Sequence, residues 1–222
     1  MPRARFDSQL DLLNEQLKEM ATATEAALMG AVEVLSTRDA EKARAIIAAD
    51  DEIDHLEREV ESLCLRLLLM QQPVVAGDLR RVGAAMKIVG DLERIGDQAT
   101  DIAEVVLTLE GHSPFGDELG GHITSMAGRA SAMVHEAVAA YIHRDGDRAH
   151  AVIGEDEGVN DLFERVKADV VKGIKDETDP ASNLVEALMA AKYLERVGDH
   201  AQNIAEWVEY SVTGLYKGEP LN

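Results

Sequence analysis

At 222 residues the chain has the length of one large domain or of two of about 100 to 120 residues each. Its 42 acidic and 22 basic residues leave a net charge of −20. A body so acidic is repelled by phosphate backbones and anionic head groups, which argues against nucleic acid and favours metal ions or basic protein surfaces as partners. With 46% hydrophobic but only 4% aromatic residues, the core has to be filled by Leu, Ile, Val, Ala and Met, a composition suited to closely packed helices.

The opening Met1-Pro2-Arg3-Ala4-Arg5-Phe6-Asp7 leads directly into polar residues, without the apolar core of a secretion signal. Helices are predicted near 6–36, 39–70, 76–110, 118–143, 146–176 and 181–214. Breakers separate them at Thr37-Arg38-Asp39, around Pro73, at Asp145-Gly146-Asp147 and at Asp179-Pro180. A linker is predicted over 111–121, with Ser113-Pro114 inside it. The second helix holds the longest apolar run, Leu63-Cys64-Leu65 and Leu67 to Met70, interrupted by Arg66. It falls short of the about 20 apolar residues that a bilayer span needs, so no membrane insertion is expected. Cys64, the single cysteine, is expected to be a buried thiol in a reducing compartment.

The third helix shows one apolar stripe, Val82, Met86, Val89, Leu92, Ile95, Ala99, Ile102, Val106 and Leu109, at steps of three and four. The sixth repeats it with Leu184, Leu188, Ala191, Leu194, Val197, Ala201, Ile204 and Val208. Met20, Met29, Met70, Met86, Met126, Met133 and Met189 read as core filler. Trp207 and Tyr210 either pack at the end of the last helix or belong to a partner surface. No segment alternates at period two, so no sheet is expected.

These elements form one unit written twice. Arg38-Asp39-Ala40-Glu41-Lys42-Ala43 returns 106 positions later as Arg144-Asp145-Gly146-Asp147-Arg148-Ala149. Leu92-Glu93-Arg94-Ile95-Gly96-Asp97 returns 102 positions later as Leu194-Glu195-Arg196-Val197-Gly198-Asp199. The four residues of slack are assigned to the turn from Gln71 to Asp78, where loop length costs little. Helices of about 30 residues joined by short turns fold antiparallel. The prediction is therefore an all-α protein of two tandem three-helix bundles of the spectrin-repeat kind, over 1–112 and 113–222.

One pattern carries chemistry. Glu93, Asp97 and Asp101 are spaced to lie on one helical face, at about 100° per residue on the rim of the apolar stripe or outside it. Asp50 and Asp54 share that spacing, and an antiparallel neighbour brings them opposite Glu93 and Asp97. Convergent carboxylates repel unless a cation lies between them, and magnesium, calcium or manganese take such oxygen ligands, with iron or zinc as further options. The second copy offers Asp156, Asn160, Glu195, Asp199 and Asn203, where two carboxylates have become amides, and weaker cation binding is expected there. The competing reading is a solvated acidic face neutralised by Arg94, Arg196, Lys87 or Lys192. His55 and His200 have no histidine at their repeat counterparts and are expected to face solvent. Gly96 and Gly198 fall toward the apolar side, where a close helix contact is expected to offset the about 1 kcal/mol that a mid-helix glycine costs.

Gln72-Pro73, Asp78-Leu79-Arg80 and the paired L-E-R-[IV]-G-D blocks, the second with Gln202-Asn203-Ile204, resemble the PhoU family of bacterial phosphate regulators over roughly residues 6 to 214. The resemblance implies a cytoplasmic, non-enzymatic negative regulator of phosphate uptake and phosphate-starvation signalling. It implies as partners the ATPase subunit of the phosphate transporter and a membrane sensor histidine kinase, with a homodimer plausible for such a protein. It also implies multinuclear iron or zinc on Asp50, Asp54, Glu93 and Asp97, and on Asp156, Asn160, Glu195 and Asp199, with Asn160 departing from the pattern. Two rivals are a carboxylate di-iron bundle, which needs two inward ExxH motifs where this chain has only Glu52 to His55, and a purely structural helical scaffold.

Overall fold

The computed structural model describes residues 3–70, 75–109 and 115–221. They form six long helices: α1 (Arg3–Thr37), α2 (Ala40–Met70), α3 (Ala76–Thr108), α4 (Asp117–His143), α5 (Gly146–Asp176) and α6 (Ala181–Thr213). The predicted turn at Gln71-Gln72-Pro73 and the predicted domain limit after residue 112 lie outside the described residues.

The doubled Arg-Asp blocks build the two sharpest corners. Arg38 and Arg144 both take the left-handed conformation, with φ of 54° and 56°. That turn ends α1 and α4 and lets the next residue start a new helix. Asp39 accepts from the backbone N–H of Glu41 and Lys42 at 3.1 and 3.0 Å, and Asp145 accepts from that of Arg148 at 3.0 Å. Each aspartate satisfies donors that the first helical turn leaves without partners, worth about 1 kcal/mol apiece.

The helices pack as two trios, α1–α2–α3 and α4–α5–α6, with α3 lying along α6 and α1 along α4. One unbroken apolar core runs through both. Leu13, Leu17, Met20, Leu63, Leu67, Ile88, Leu92 and Ile95 are fully buried in it, each contributing about 1.5–3 kcal/mol of transfer free energy. Tyr141 on α4 is also buried, and its hydroxyl donates to the Arg81 carbonyl on α3 at 3.0 Å, linking the trios. Cys64 is buried as predicted, and burial pushes its thiol up to about 12.

Four expectations are corrected. Gly120 and Gly121, placed both in the linker over 111–121 and in the helix over 118–143, belong to the first turns of α4 and not to the linker, because Leu119, Ile123 and Met126 bury at helical spacing and offset the glycine cost. Met29, Met70 and Met189 are exposed rather than core filler. The four-residue slack is divided, because the connection before α3 is one residue longer than that before α6 and α3 starts nearly a turn earlier against the shared motif. Finally, a small antiparallel hairpin, β1 (Leu215–Tyr216) with β2 (Glu219–Pro220), follows α6. Lys217 and Gly218, with φ of 52° and 80°, make its two-residue turn. Trp207 stacks on Tyr216 at 4.2 Å and meets Tyr210 edge-on at 5.7 Å. Two residues per strand are too few to show an alternating pattern; the aromatic stack holds them.

Candidate functional site

In each trio the second and third helices touch at the glycine of the L-E-R-[IV]-G-D block. A Cβ at Gly96 would lie 3.1 and 3.2 Å from Ile53 Cδ1 and Cγ2, and 3.6 Å from Asp50 Oδ1. One at Gly198 would lie 3.3 Å from Asp156 Oδ1 and 3.4 Å from Val159 Cγ1. The close contact expected of both glycines is present, and it presses an aspartate of the neighbouring helix against the backbone of the third.

Around Gly96 the acids gather. Asp50, Asp54, Glu93, Asp97 and Asp101 are all half-buried, nearer the core than a freely solvated face. Burial lifts the Asp50 carboxyl above its usual range, with a hydrogen bond from Thr100 opposing and the charges of Asp97, Asp54 and Asp51 adding. Glu93 is raised by burial and then by Asp97, against the pull of Arg94. Asp101 is raised by burial, Glu104 and Asp97, against Arg196 of the other trio. Three carboxylates driven the same way mark a surface held in place by packing against its own repulsion.

Two members escaped the sequence reading. Glu57 joins the group from α2, raised by burial, Glu61 and Asp54, and Thr100 donates to Asp50. Glu57 lies one turn beyond Asp54 on the same face, so the spacing that selected Asp50 and Asp54 also pointed to it.

The second site is weaker in charge. Asn160 replaces Asp54, Phe163 replaces Glu57 and Asn203 replaces Asp101. Asn160 Nδ2 donates to Asp156 Oδ2 at 2.8 Å, so an amide does there what a cation would otherwise do. Burial and Glu195 still raise Asp156, and burial with Asp156 and Glu195 raises Asp199. Asn203 lies apart, its amide donating to Asp91 of α3 at 3.4 Å. His200, expected to face solvent, instead sets Nδ1 2.9 Å from Asp91 Oδ1 across the seam between the trios. His55 is exposed, as expected, and pairs with Glu59 at 3.5 Å. The single ExxH pair therefore does not point inward.

The neutralising cations of the competing reading are partly in place. Arg94 bonds Asp97 Oδ2 at 2.8 Å and approaches Glu93 Oε2 at 3.4 Å, and Lys192 pairs with Glu195. Lys87 is instead 5.8 Å from the centre of the Trp207 ring. Among the described residues no three His, Cys, Asp or Glu side chains converge closely enough to hold an ion as they stand. The donors of the first site, all carboxylate oxygens, nevertheless fit a hard cation in chemical type; Asp156 and Asn160, already bonded to each other, fit it less well.

The fold has a counterpart among known proteins. The family model described as the PhoU domain matches this chain twice, over residues 17–106 and 123–208. The chain belongs to the PhoU family. A relative from Clostridium acetobutylicum, named phosphate-specific transport system accessory protein PhoU homolog, is 35% identical over 214 residues, covering 96% of this chain and 97% of its own. One of the same name from Pseudomonas aeruginosa is 34% identical over 212 residues, covering 95% and 86%. The crystal structure of PhoU from Pseudomonas aeruginosa superposes with a TM-score of 0.86 at 32% identity, over 95% of this chain and 100% of that one. The phosphate transport system regulatory protein PhoU from Streptococcus pneumoniae also reaches 0.86, at 26% identity, over 95% and 98%. Both PhoU units of this chain match the family model, and each match includes the glycine and its flanking acids. Among the described residues no helix is long and apolar enough to cross a membrane.

Proposed function

We propose that this PhoU chain is a cytoplasmic accessory of a phosphate transport system and a negative regulator of phosphate uptake and of phosphate-starvation signalling, acting by binding rather than by catalysis. The observation that carries the reading is the near full-length match to relatives named as phosphate-specific transport system accessory proteins, extending over 96% of this chain and 97% of one such relative. On this reading its partners are the ATPase subunit of the phosphate transporter and a membrane sensor histidine kinase, and the chain works as a homodimer. A net charge of −20 suits basic protein surfaces and disfavours direct capture of free phosphate by its acidic faces.

The first acidic site is, on the same reading, a metal site. Asp50, Asp54, Glu93 and Asp97 would hold a divalent or multinuclear centre of magnesium, manganese, iron or zinc once Arg94 swings away. The bound cation would offset the burial and the repulsion that lift Asp50 and Glu93 and tie α2 to α3. The second site, with Asp156, Asn160, Glu195 and Asp199, would bind more weakly.

A deletion strain tests the regulatory reading: phosphate-starvation genes are expected to stay on in high phosphate. Normal repression in that strain would sink it. Co-purification of the tagged chain with the transporter ATPase from phosphate-replete cells tests the partner.

A further inference from the structure

The two repeats differ along the edge where their first and second helices meet. In the second, Arg129 on α4 reaches across to α5. Its Nη1 lies 2.7 Å from where a Cβ of Gly158 would stand, and it pairs with Glu155 Oε2 at 3.4 Å. The corresponding positions in the first repeat are Ala23, Glu52 and Ala49. The two alanines there carry no bridge, and a groove of about 860 Å³ lies open between α1 and α2.

Its floor is made of Ala23, Ala26, Ala27, Ala45, Ile46 and Ala49. Side chains that end at Cβ leave room for large apolar groups from outside and let a third rod approach closely, and covering such methyls releases about 25 cal/mol per Å². The rim carries Glu15 and Glu19 on α1 and Glu52 on α2. Of the two lysines on the rim, Lys42 is held by Glu33 at 2.6 Å, so the edge facing a visitor is predominantly negative.

We propose that this groove docks an amphipathic helix of another protein, with large apolar residues on one stripe and Lys or Arg along its flanks. A second copy of this chain is a poor occupant by charge, since each copy brings a net −20. The inference stands on the groove and holds whichever protein carries the helix, so it survives or falls apart from the phosphate reading.

The test titrates the full chain calorimetrically with two synthetic helical peptides of about five turns. Both carry the same leucine stripe, one with lysine flanks and one with glutamate flanks. The lysine peptide is expected to bind with one site per chain, about tenfold or more tightly than the glutamate peptide. Ala23→Arg with Ala49→Glu brings the Arg129–Glu155 pair of the second repeat to the first, across Glu52 in place of Gly158, and is expected to weaken the lysine peptide about tenfold or more with the thermal midpoint held. Ala26→Trp fills the floor by a different route and is expected to do the same, which covers a folding failure of the first variant. Undiminished binding in both variants places the peptide elsewhere on the acidic surface and overturns the proposal. So does light scattering that shows a wild-type dimer falling to monomers in them, which would make the groove a contact between copies.

Discussion

His200 of the second repeat sets its Nδ1 2.9 Å from Asp91 Oδ1 of the first, and Asn203 Nδ2 adds a contact to the same oxygen at 3.4 Å. With side-chain exposures of 23% and 15%, the two are shielded enough for the contact to count. Replacing either with alanine is expected to cost about 0.5–1.5 kcal/mol, and the double variant less than the sum of the singles. Urea unfolding of the three variants checks this, and strict additivity would show that the seam does not depend on the pair.

Gly96 is where α2 and α3 touch, so Gly96→Ala forces Ile53 to move from 3.1 Å. The helix-propensity gain of about 1 kcal/mol is expected to be outweighed by an overpacking cost of about 1–3 kcal/mol. Gly90, on the same helix, has nothing within 4 Å of its Cβ position. Gly90→Ala is expected to gain about 0.5–1 kcal/mol. Thermal melts of the two variants should move in opposite directions.

The raised carboxylates give stability an inverted pH dependence. Asp50, Asp101 and Glu93 titrate above their ordinary values of 3.8, 3.8 and 4.5 in the folded chain. The folded state therefore binds more protons than the unfolded one between those values and the raised ones. Their contribution grows as pH falls through the raised range, is complete below the ordinary values and is lost as pH rises. The metal-free protein is expected to melt higher in mildly acid buffer than at neutral pH, and Asp50→Asn is expected to flatten that slope. A profile unchanged by the substitution would remove the acidic cluster as its cause.

A cation at the first site relieves the same repulsion. Glu93→Ala with Asp97→Ala is expected to abolish metal bound in the first repeat and with it any rise in melting temperature on adding manganese. Asp156→Ala is expected to leave most of that rise, and Asn160→Asp to increase the metal bound overall. Elemental analysis of the purified variants decides it; unchanged stoichiometry in the first would refute the site.

The six helices were legible because each apolar stripe repeats at helical spacing and each corner carries the Arg-Asp block or a proline, which are local signals. The acidic ligand candidates were legible for the same reason, since i,i+4 spacing stacks carboxylates whatever the helix packs against. Glu57 shared that signal. His200 did not, because its partner Asp91 belongs to the other repeat and its repeat counterpart is Gln98.

The sequence by itself determined the helical periods, the doubling and which faces are acidic, all properties of neighbours along one rod. Tertiary structure decided which rods meet and how closely. A glycine becomes a contact point only when Ile53 arrives, and Ala23 and Ala49 become the floor of a groove only when α1 and α2 lie side by side. The reason is range: backbone geometry fixes side-chain direction within a few residues, whereas burial, charge repulsion and cross-seam bonds depend on distances between segments far apart along the chain.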